Sequence, residues 1–290
     1  MNATVSTEGI HRPITLVTGS TGKTGRRVVS RLRARGITVR SASRSATPAF
    51  DWNDEGTWDA CLQGVTTAYI AYSPDVAIPG TTDTIRAFVA RAVARGVVRL
   101  VLLSGRGEAE AEACERIVAD AGVEWTVVRA SWFMQNFSEG EFLGMVLSGT
   151  VALPTADVPE PFVDADDIAD VAVAALSESG HDGQVYEVTG PRLMLMTEVA
   201  REISDAAGRK VEFVRVPNEA FTQAVVSSGA PPDIAWLLDY LFKTVLDGRN
   251  AHLSDGVRRA LGREPADFST FARRVAAEGV WSSNDEEVVA

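Results

Sequence analysis

Short apolar runs rich in β-branched residues alternate along the chain with longer segments whose apolar positions recur at helical spacing. The short runs are typical of strands buried in a parallel sheet, and the longer segments are typical of amphipathic helices. The pattern predicts strands at residues 14–18, 37–42, 67–72, 97–104, 124–129 and 184–189. It predicts helices at 22–35, 57–62, 82–95, 137–147 and 166–176. Repeated strand–helix–strand units indicate an α/β fold with a doubly wound parallel sheet.

Glutamates are closely spaced in the segment that follows residues 97–104. This segment is predicted to be a helix, with its glutamates on the exposed side; they are Glu108, Glu110, Glu112 and Glu115. We expect the other side of this helix to cover the sheet.

Beyond residue 129 the alternation loosens. A turn-rich stretch holds Pro154, Pro159 and Pro161. Helices are predicted at 196–207, 218–227, 234–246 and 267–277, with a strand at 211–216. We expect residues 13–150, completed by about 162–190, to form the sheet domain, and residues 151–161 and 191–281 to form a smaller, mostly helical lobe that binds substrate. The aperiodic segments 1–12 and 282–290 are expected to be flexible ends.

The turn between the first strand and the first helix is rich in glycine. Its residues are Gly19, Ser20, Thr21, Gly22, Lys23, Thr24 and Gly25. Glycines permit a tight turn and a close backbone approach, and the free N–H groups at a helix start attract a pyrophosphate. The turn therefore predicts a Rossmann domain that binds a nicotinamide dinucleotide over these residues. A mononucleotide P-loop would need a glycine where Val17 stands.

The end of the second predicted strand indicates which dinucleotide is bound. An acidic residue there would bind the ribose 2′-hydroxyl, whereas a basic residue would accept a 2′-phosphate. The run from Arg40 to Ser45 contains no acid. We expect Arg44 to bind the 2′-phosphate with help from the Ser43 or Ser45 hydroxyl, which favours NADP(H) as the cofactor. The alternative is that Arg44 is an ordinary exposed arginine.

Composition narrows the classes of partner. The formal net charge is −11, and an acidic surface repels nucleic-acid phosphates and anionic lipids, so neither nucleic acid nor membrane is an expected partner. No apolar run approaches a membrane span and residues 1–13 lack the features of a signal peptide, which predicts a cytoplasmic protein. Cys61 and Cys114 lie in predicted helices without cysteine neighbours, so we expect no disulfide framework and no metal site.

Several motifs, in a fixed order, resemble those of a known family. After the glycine-rich turn come Glu124-Trp125-Thr126-Val127-Val128-Arg129, Phe133-Met134-Gln135-Asn136-Phe137, Pro161-Phe162-Val163-Asp164-Ala165-Asp166-Asp167-Ile168-Ala169 and Leu261-Gly262-Arg263-Glu264-Pro265. Over about residues 14–277 the chain resembles the NmrA-like family of atypical short-chain dehydrogenase/reductases.

The resemblance implies a Rossmann domain with a small C-terminal lobe. It implies reduction of a quinone, ketone, imine or dye with NADPH, or redox-sensing regulation without turnover. It also implies that Asp51 and Trp52 lie near the adenine, that Ala71 and Tyr72 lie beside the ribose, and that Ser104 lies near the nicotinamide. For Asp51 a helix-start carboxylate is the alternative. A homodimer is expected only at the level of the class.

The chain departs from ordinary short-chain dehydrogenases in its proton donors. Those enzymes use Tyr-x-x-x-Lys, in which the lysine lowers the tyrosine pKa. No tyrosine here has a lysine four residues later, and the position that holds a lysine or histidine in some relatives is near Ala111. The absence of a dedicated acid weakens carbonyl reduction more than quinone reduction, since a reduced quinone can take its proton from water.

The remaining candidates for the site are few. Tyr72 and Ser104 are predicted as catalytic groups at the carboxyl edge of the sheet, although a packing role for Tyr72 is the alternative. An apolar substrate pocket is predicted from Trp132, Phe133, Met134, Gln135, Asn136 and Tyr240. Core packing is the alternative for these residues. Of the histidines, only His252 could reach a substrate.

Three hypotheses of function follow. The first is an NADPH-dependent reductase that transfers a hydride to a planar apolar acceptor, such as a quinone or a polyketide-like ketone. The second is a non-catalytic NADP-binding regulator that senses redox state. The third is a redox-neutral cyclase or isomerase on a reductase fold.

Overall fold

The structure, a computed structural model, describes residues 13–155 and 157–282. The ends that were expected to be flexible lie outside these residues, except for Ser282. The strands are β1 (Ile14–Val17), β2 (Thr38–Ser41), β3 (Val65–Ile70), β4 (Arg99–Gly105), β5 (Glu124–Ala130), β6 (Thr150–Leu153), β7 (Gln184–Val188) and β8 (Glu212–Arg215). All but β6 were predicted from the apolar pattern.

The helices follow the predicted order with small differences in length. They are α1 (Gly25–Ala34), α2 (Trp58–Leu62), α3 (Thr81–Ala94), α4 (Ala109–Ala119), α5 (Leu143–Ser148), α6 (Ala165–Ser177), α7 (Met196–Ala207), α8 (Asn218–Ser227), α9 (Pro232–Tyr240), α10 (Gly256–Leu261) and α11 (Phe268–Ala277). Short 3₁₀ turns cover Glu55–Thr57 and Met134–Phe137, and a π-helical turn covers Leu241–Val245. None of the helices in the described part of the chain has the length and apolarity that a membrane span requires.

One parallel sheet organises the molecule, as the sequence predicted. Its six strands lie in the order β2-β1-β3-β4-β5-β7. From β1 the chain runs outward to β2, and β3 then returns to the other side of β1. The carboxyl ends of β1 and β3 therefore flank the point at which the winding reverses, where ligands of open α/β sheets bind.

Helices cover both faces of the sheet. One face packs against α2, α3 and α4, and the other packs against α1, α6 and α10. Leu100, Val101 and Leu102 of β4 are fully buried because their side chains enter both layers. Burial of each such side chain contributes about 1.5–3 kcal/mol to the stability of the fold. The central strands therefore form a rigid support for the site.

The smaller part of the molecule is a second layer over the carboxyl edge of the sheet. Strands β6 and β8 pair in parallel, and α7 packs on α11. Its apolar cluster contains Phe137, Phe162 and Trp281, and the Trp281 indole donates a hydrogen bond to the Phe137 carbonyl at 2.8 Å. This layer therefore brings residues distant in sequence onto the edge where β1, β3, β4 and β5 end.

The structure corrects several expectations. Residues 150–153, in and beside the stretch predicted to be turn-rich, form β6, because β8 is available as a partner. The helix predicted at 137–147 is reduced to α5, and α10 was not predicted. Glu108 and Glu115, expected on the exposed side of α4, are each only 7% exposed. Glu115 is buried because Arg129 on β5 pairs with its carboxylate.

Candidate functional site

The glycine-rich turn joins β1 to α1 at the switch point of the sheet. Gly19 has a φ of +58°, a left-handed value that favours glycine. A Cβ atom on Gly25 would lie 2.1 Å from the Gly19 carbonyl oxygen, so only glycine allows α1 to start this close to the turn. The Gly22 N–H donates to the same oxygen at 2.9 Å. The spacing of the glycines is thus required by the backbone itself.

Hydrogen bonds fix this turn to both neighbouring strands. The Ser20 hydroxyl donates to the Ala42 carbonyl at 3.1 Å, beyond β2. The Ala71 N–H, beyond β3, donates to the Thr18 hydroxyl oxygen at 2.8 Å. Ser20, Thr18 and Ala71 are all buried. The turn is therefore held in place before any ligand arrives.

The first turn of α1 keeps its N–H end open. Thr24 is the N-cap residue, but its side chain does not cap the helix. Instead its hydroxyl oxygen accepts a hydrogen bond from the Tyr69 phenol at 3.1 Å. Burial raises the pKa of Tyr69, so the phenol stays neutral and able to donate. An uncapped helix N-terminus beside a glycine turn is suited to an anion.

The two arginines beyond α1 differ in what they contact. Arg40 donates to the carbonyls of Cys61 and Gln63 and is occupied at the end of α2. Arg44 is exposed and has no hydrogen bond or ion pair with any residue the structure describes. The Ser43 and Ser45 hydroxyl oxygens lie 3.3 Å apart beside it. A cation and two hydroxyls are thus available just beyond β2.

Asp51 and Trp52 lie in the segment between β2 and α2. The Asp51 carbonyl accepts a hydrogen bond from the Trp58 indole at 2.8 Å, while its carboxylate accepts one from the Asn53 N–H at 3.0 Å. Trp52 is 7% exposed, and its ring lies 5.0 Å from that of Tyr72. The Trp52 Nε1 atom has no hydrogen-bond partner among the described residues. Trp52 thus packs in the core behind Tyr72.

A cleft of about 250 Å³ opens beside the glycine turn, over the ends of β3, β4 and β5. Its walls are mainly apolar and include Trp132, Phe133 and Phe142 from the segments after β5. Helix α9 and the π-helical turn form its roof. Its polar lining consists of Lys23, Tyr72, Asp75, Ser104, Arg106, Glu108, Ser131, Asn136 and Glu141. The space suits a flat, apolar molecule that meets a few polar groups at one side.

The predicted catalytic pair lies in this cleft with different surroundings. Tyr72 is partly exposed on the wall after β3. Ser104 is the next-to-last residue of β4, and its hydroxyl donates to a Glu115 carboxylate oxygen at 2.6 Å. Arg129 binds both oxygens of the same carboxylate. The Ser104 proton is therefore directed toward α4 rather than into the open cleft.

The predicted substrate pocket is brought together only in part. Trp132, Phe133 and Asn136 line the cleft. Met134 and Gln135 do not, because the 3₁₀ turn at Met134–Phe137 directs them inward, where they are 1% and 0% exposed. The Gln135 amide donates to Asp164 and its oxygen accepts from the Ala165 N–H, so it fixes the start of α6.

Tyr240, the last residue predicted for this pocket, lies at the end of α9 beside the cleft rather than in its lining. Its hydroxyl donates to a Glu110 carboxylate oxygen at 3.3 Å. The Tyr240 ring stacks on Trp236 with the ring centroids 5.1 Å apart. Tyr240 therefore joins the roof of the cleft to α4.

Three acidic residues in the cleft were missed by the sequence analysis: Asp75, Glu108 and Glu141. Burial raises the pKa of Glu108 well above the usual value, and the negative charge of Asp75 adds to the effect. Burial also raises the pKa of Asp75. The position of Glu108 just beyond β4 could have indicated a site residue, since strand ends carry the polar groups of such sheets.

Glu141 and its neighbour Glu139 connect the cleft to the glycine turn. Glu141 pairs with Lys23 at 3.2 Å, and Glu139 pairs with Arg27 of α1 at 2.7 Å. Gly140 lies between them, and a Cβ atom there would lie 2.8 Å from the Lys23 side chain. Lys23 is thus held by a carboxylate beside the N-terminus of α1.

A polar network closes the back of the cleft. Arg106, only 3% exposed, donates to Ser131 at 2.9 Å and to Glu187 at 2.8 Å. His252 contacts Arg106 and Glu187 rather than the open cleft. Burial raises the pKa of nearby Glu160 to about 7. These contacts hold the Arg106 guanidinium, so it presents a fixed surface to the cleft.

Comparison with known proteins places this geometry in context. The profile of the NmrA-like family matches residues 109–260. The oxidoreductase YesF of Bacillus subtilis is 31% identical, over 92% of this chain and 96% of YesF. The NAD(P)H azoreductase of Xenophilus azovorans is 30% identical, over 90% of this chain and 98% of its own length.

Solved structures share the fold at lower sequence identity. The NADPH-dependent quinone oxidoreductase of Escherichia coli, in complex with NADPH, superposes with a TM-score of 0.72. It is 23% identical, with 90% of this chain and 99% of that chain covered. At this identity the likeness shows a common fold.

Proposed function

Because this chain belongs to the NmrA-like family, we propose that it is an NADPH-dependent oxidoreductase that transfers a hydride to a planar, apolar acceptor, a quinone or a polyketide-like ketone. One observation carries the proposal. The glycine turn lies at the switch point, and its Lys23 lines a cleft with aromatic walls at the same edge of the sheet. A dinucleotide bound over the turn would reach this cleft with its nicotinamide end.

The residues at the turn fit the phosphates of a dinucleotide. The backbone leaves no room for a side chain at Gly25, allows only tight contacts at Gly22, and has a left-handed φ at Gly19. The helix N-terminus beyond it is uncapped, which favours a bound anion. Lys23 belongs to the turn and would exchange its ion pair with Glu141 for one with a phosphate.

Arg44 supports NADPH over NADH. It is exposed beyond β2 without a partner in the described part of the chain, whereas Arg40 is occupied by two carbonyls. A 2′-phosphate would pair with Arg44 and accept from the Ser43 or Ser45 hydroxyl. No acidic residue stands between Arg40 and Ser45 to bind a free 2′-hydroxyl.

The cofactor supplies the hydride when it is bound. The chain's own residues bind, orient and dry the acceptor: Trp132, Phe133 and Phe142 offer flat apolar surfaces, and α9 covers them from above. Positioning of this kind is the main contribution of a protein to hydride transfer. An NAD(P)H azoreductase and an NADPH-dependent quinone oxidoreductase are among the proteins similar to this chain, which supports the proposal.

Oxidation of NADPH and NADH by the purified protein, against a panel of quinones and aromatic ketones, tests the proposal. Binding of both cofactors is followed in parallel by fluorescence. We expect acceptor-dependent oxidation of NADPH. Substitution Arg44→Ala should weaken NADPH binding about 10- to 100-fold, the range of a lost charge-assisted hydrogen bond, and leave NADH binding nearly unchanged.

Arg201→Ala is the matched control, since Arg201 is an exposed arginine on α7 in the smaller layer. It should change neither affinity. Tight NADPH binding without oxidation by any acceptor would reject the reductase and favour the redox-sensing regulator. Equal loss of NADPH and NADH binding in Arg44→Ala would reject the 2′-phosphate assignment.

A further inference from the structure

Glu108 occupies an unusual position at the bottom of the cleft. It stands between β4 and α4, is 7% exposed and contributes to the cleft lining. Its Oε2 atom has no hydrogen-bond partner among the residues that the structure describes. Glu108 is the N-cap residue of α4, but its side chain does not cap the helix. A buried carboxyl oxygen without a hydrogen-bond partner among the described residues is costly, and a hydrogen bond with a ligand bound in the cleft would remove that cost.

The backbone of β4 sets the position of this carboxyl group. A Cβ atom on Gly105 would lie 2.2 Å from Glu108 Oε2 and 2.4 Å from the carboxyl carbon. The carboxyl group therefore lies directly on the Gly105 backbone, at the carboxyl end of a central strand. Ligands of open parallel sheets bind at this edge.

The groups around Glu108 favour its neutral form. Burial raises the pKa of Glu108, and the negative charges of Asp75, Glu110 and Glu115 add to the rise. The Tyr240 hydroxyl donates to Glu110, and it lies near enough to Glu108 for the charge of Glu108 to add to the rise that burial causes in the pKa of Tyr240. Asp75 differs from Glu108 because its carboxylate accepts a hydrogen bond from the Ala77 N–H at 2.8 Å and lies near the positive charge of Lys23. Both contacts lower the pKa of Asp75. Both carboxyls have raised pKa values, and the rise is larger for Glu108.

The other hydroxyl groups of the cleft fit a proton-donor role less well. The Ser104 proton is directed to Glu115. Tyr72 packs against Trp52. No tyrosine of the chain has a lysine four residues later, so the Tyr-x-x-x-Lys pair is missing. The position near Ala111, where some relatives carry a basic residue, is fully buried in α4. Glu108 precedes it by one helical turn and reaches the cleft.

We propose that Glu108 is the acid that protonates the reduced acceptor. The inference rests on the proposed function. As a hydride from the dihydronicotinamide forms the new C–H bond of a ketone, the carbonyl π pair moves to oxygen, and that oxygen takes the proton from the Glu108 carboxyl group. The products are the alcohol, the oxidised nicotinamide and the Glu108 carboxylate, which regains a proton from water. A built-in acid makes ketones suitable acceptors, in contrast to the expectation from the missing tyrosine–lysine pair.

Substitution Glu108→Gln tests the role, because glutamine keeps the shape of the neutral acid and lacks its acidic proton. We expect kcat for a ketone acceptor to fall about 100-fold, the lower range for a general acid, and kcat for a quinone to change less than about threefold. Affinity for NADPH should be unchanged. Glu112→Gln is the matched control, since Glu112 is exposed on the same helix.

Two further variants distinguish chemistry from structure. Glu108→Asp keeps the proton one methylene farther away and should restore part of the lost ketone activity. Gly105→Ala places a methyl group against the carboxyl and should lower kcat for the ketone without changing NADPH affinity. Wild-type kcat should hold at low pH and fall as pH rises and Glu108 ionises, and Glu108→Gln should lack this fall.

A measurement without the cofactor completes the test. Infrared spectra of the free protein near neutral pH should show a protonated carboxyl C=O stretch that Glu108→Gln removes and Glu112→Gln retains. Absence of this band, or ketone turnover that Glu108→Gln keeps, would overturn the donor role alone. Absence of turnover by the wild-type protein with every acceptor would overturn the proposed function and the donor role together.

Discussion

Glu108 and Glu115, the first and last glutamates of the series along α4, are both buried but have different partners. Glu108 and Glu115 are equally buried, at 7% exposure each. Glu115 lies against β4 and β5, where Arg129 binds both its oxygens and Ser104 donates to it. Glu108 lies at the cleft, and its Oε2 atom has no hydrogen-bond partner among the described residues. Burial sets the cost of a charge, and the partners decide whether the charge persists.

The largest effect should follow from removing the partner of Glu115. Arg129→Met keeps much of the apolar stem and leaves the carboxylate buried without its ion pair, so the free energy of unfolding should fall by about 3–5 kcal/mol. Urea denaturation measures the loss. Arg116→Met, at an exposed position of α4, should change stability by no more than about 0.5 kcal/mol. A loss below about 1 kcal/mol in Arg129→Met would show that the pair contributes little and would remove the contrast with Glu108.

A second effect should appear in the pH dependence of stability. The pKa of Glu108 is raised in the folded state, so the folded protein binds more protons than the unfolded chain at pH values between the usual glutamate pKa and the raised one. Stability contributed by Glu108 is therefore present at low pH and is lost as pH rises through that window. The slope is at most about 1.4 kcal/mol per pH unit.

The difference in unfolding free energy between the wild-type protein and Glu108→Gln, measured by urea denaturation across pH, isolates this slope. Glu160, whose pKa burial raises to about 7, has the same sign of effect but cancels in the difference because both proteins contain it. A difference that is flat with pH would mean that folding does not raise the pKa of Glu108.

The smallest effect should come from a third glutamate, which is both exposed and paired. Glu141 is 58% exposed and pairs with Lys23 at 3.2 Å. Glu141→Gln frees Lys23 for a phosphate and removes a negative charge, so NADPH should bind about two- to fivefold more tightly, as expected for an exposed pair. Titration by fluorescence measures the affinity. Glu178→Gln breaks the exposed pair with Arg35 at the far end of α1 and should have no effect. Weaker binding in Glu141→Gln would assign Glu141 to cofactor binding instead.

The same contrast explains how far the sequence could predict this molecule. Strand and helix periods are local, so the parallel sheet and the glycine turn followed from the apolar pattern and the spacing of Gly19, Gly22 and Gly25. The burial of Glu115 depends on Arg129, which follows it by 14 residues on another element. A helical pattern with acids at alternate positions does not indicate which of them will meet such a partner.

The candidate site was predictable to a similar, partial extent. Trp132, Phe133 and Asn136 line the cleft, but the 3₁₀ turn after Phe133 directs Met134 and Gln135 into the core. Strand β6 was missed because its partner β8 lies about sixty residues later. The acids of the cleft were missed because Asp75, Glu108 and Glu141 come from separate segments that only the folded chain brings together.

The hydrogen bond from Trp281 to the Phe137 carbonyl has a consequence for synthesis on the ribosome. All strands of the sheet except β7 have been synthesised once residue 130 is made, yet the cluster around Phe137 is completed only when Trp281 follows. During this interval Trp132, Phe142 and their neighbours face water without their later covers. A nascent chain of this protein therefore carries an apolar surface that chaperones would recognise, and pausing late in translation would prolong that exposure.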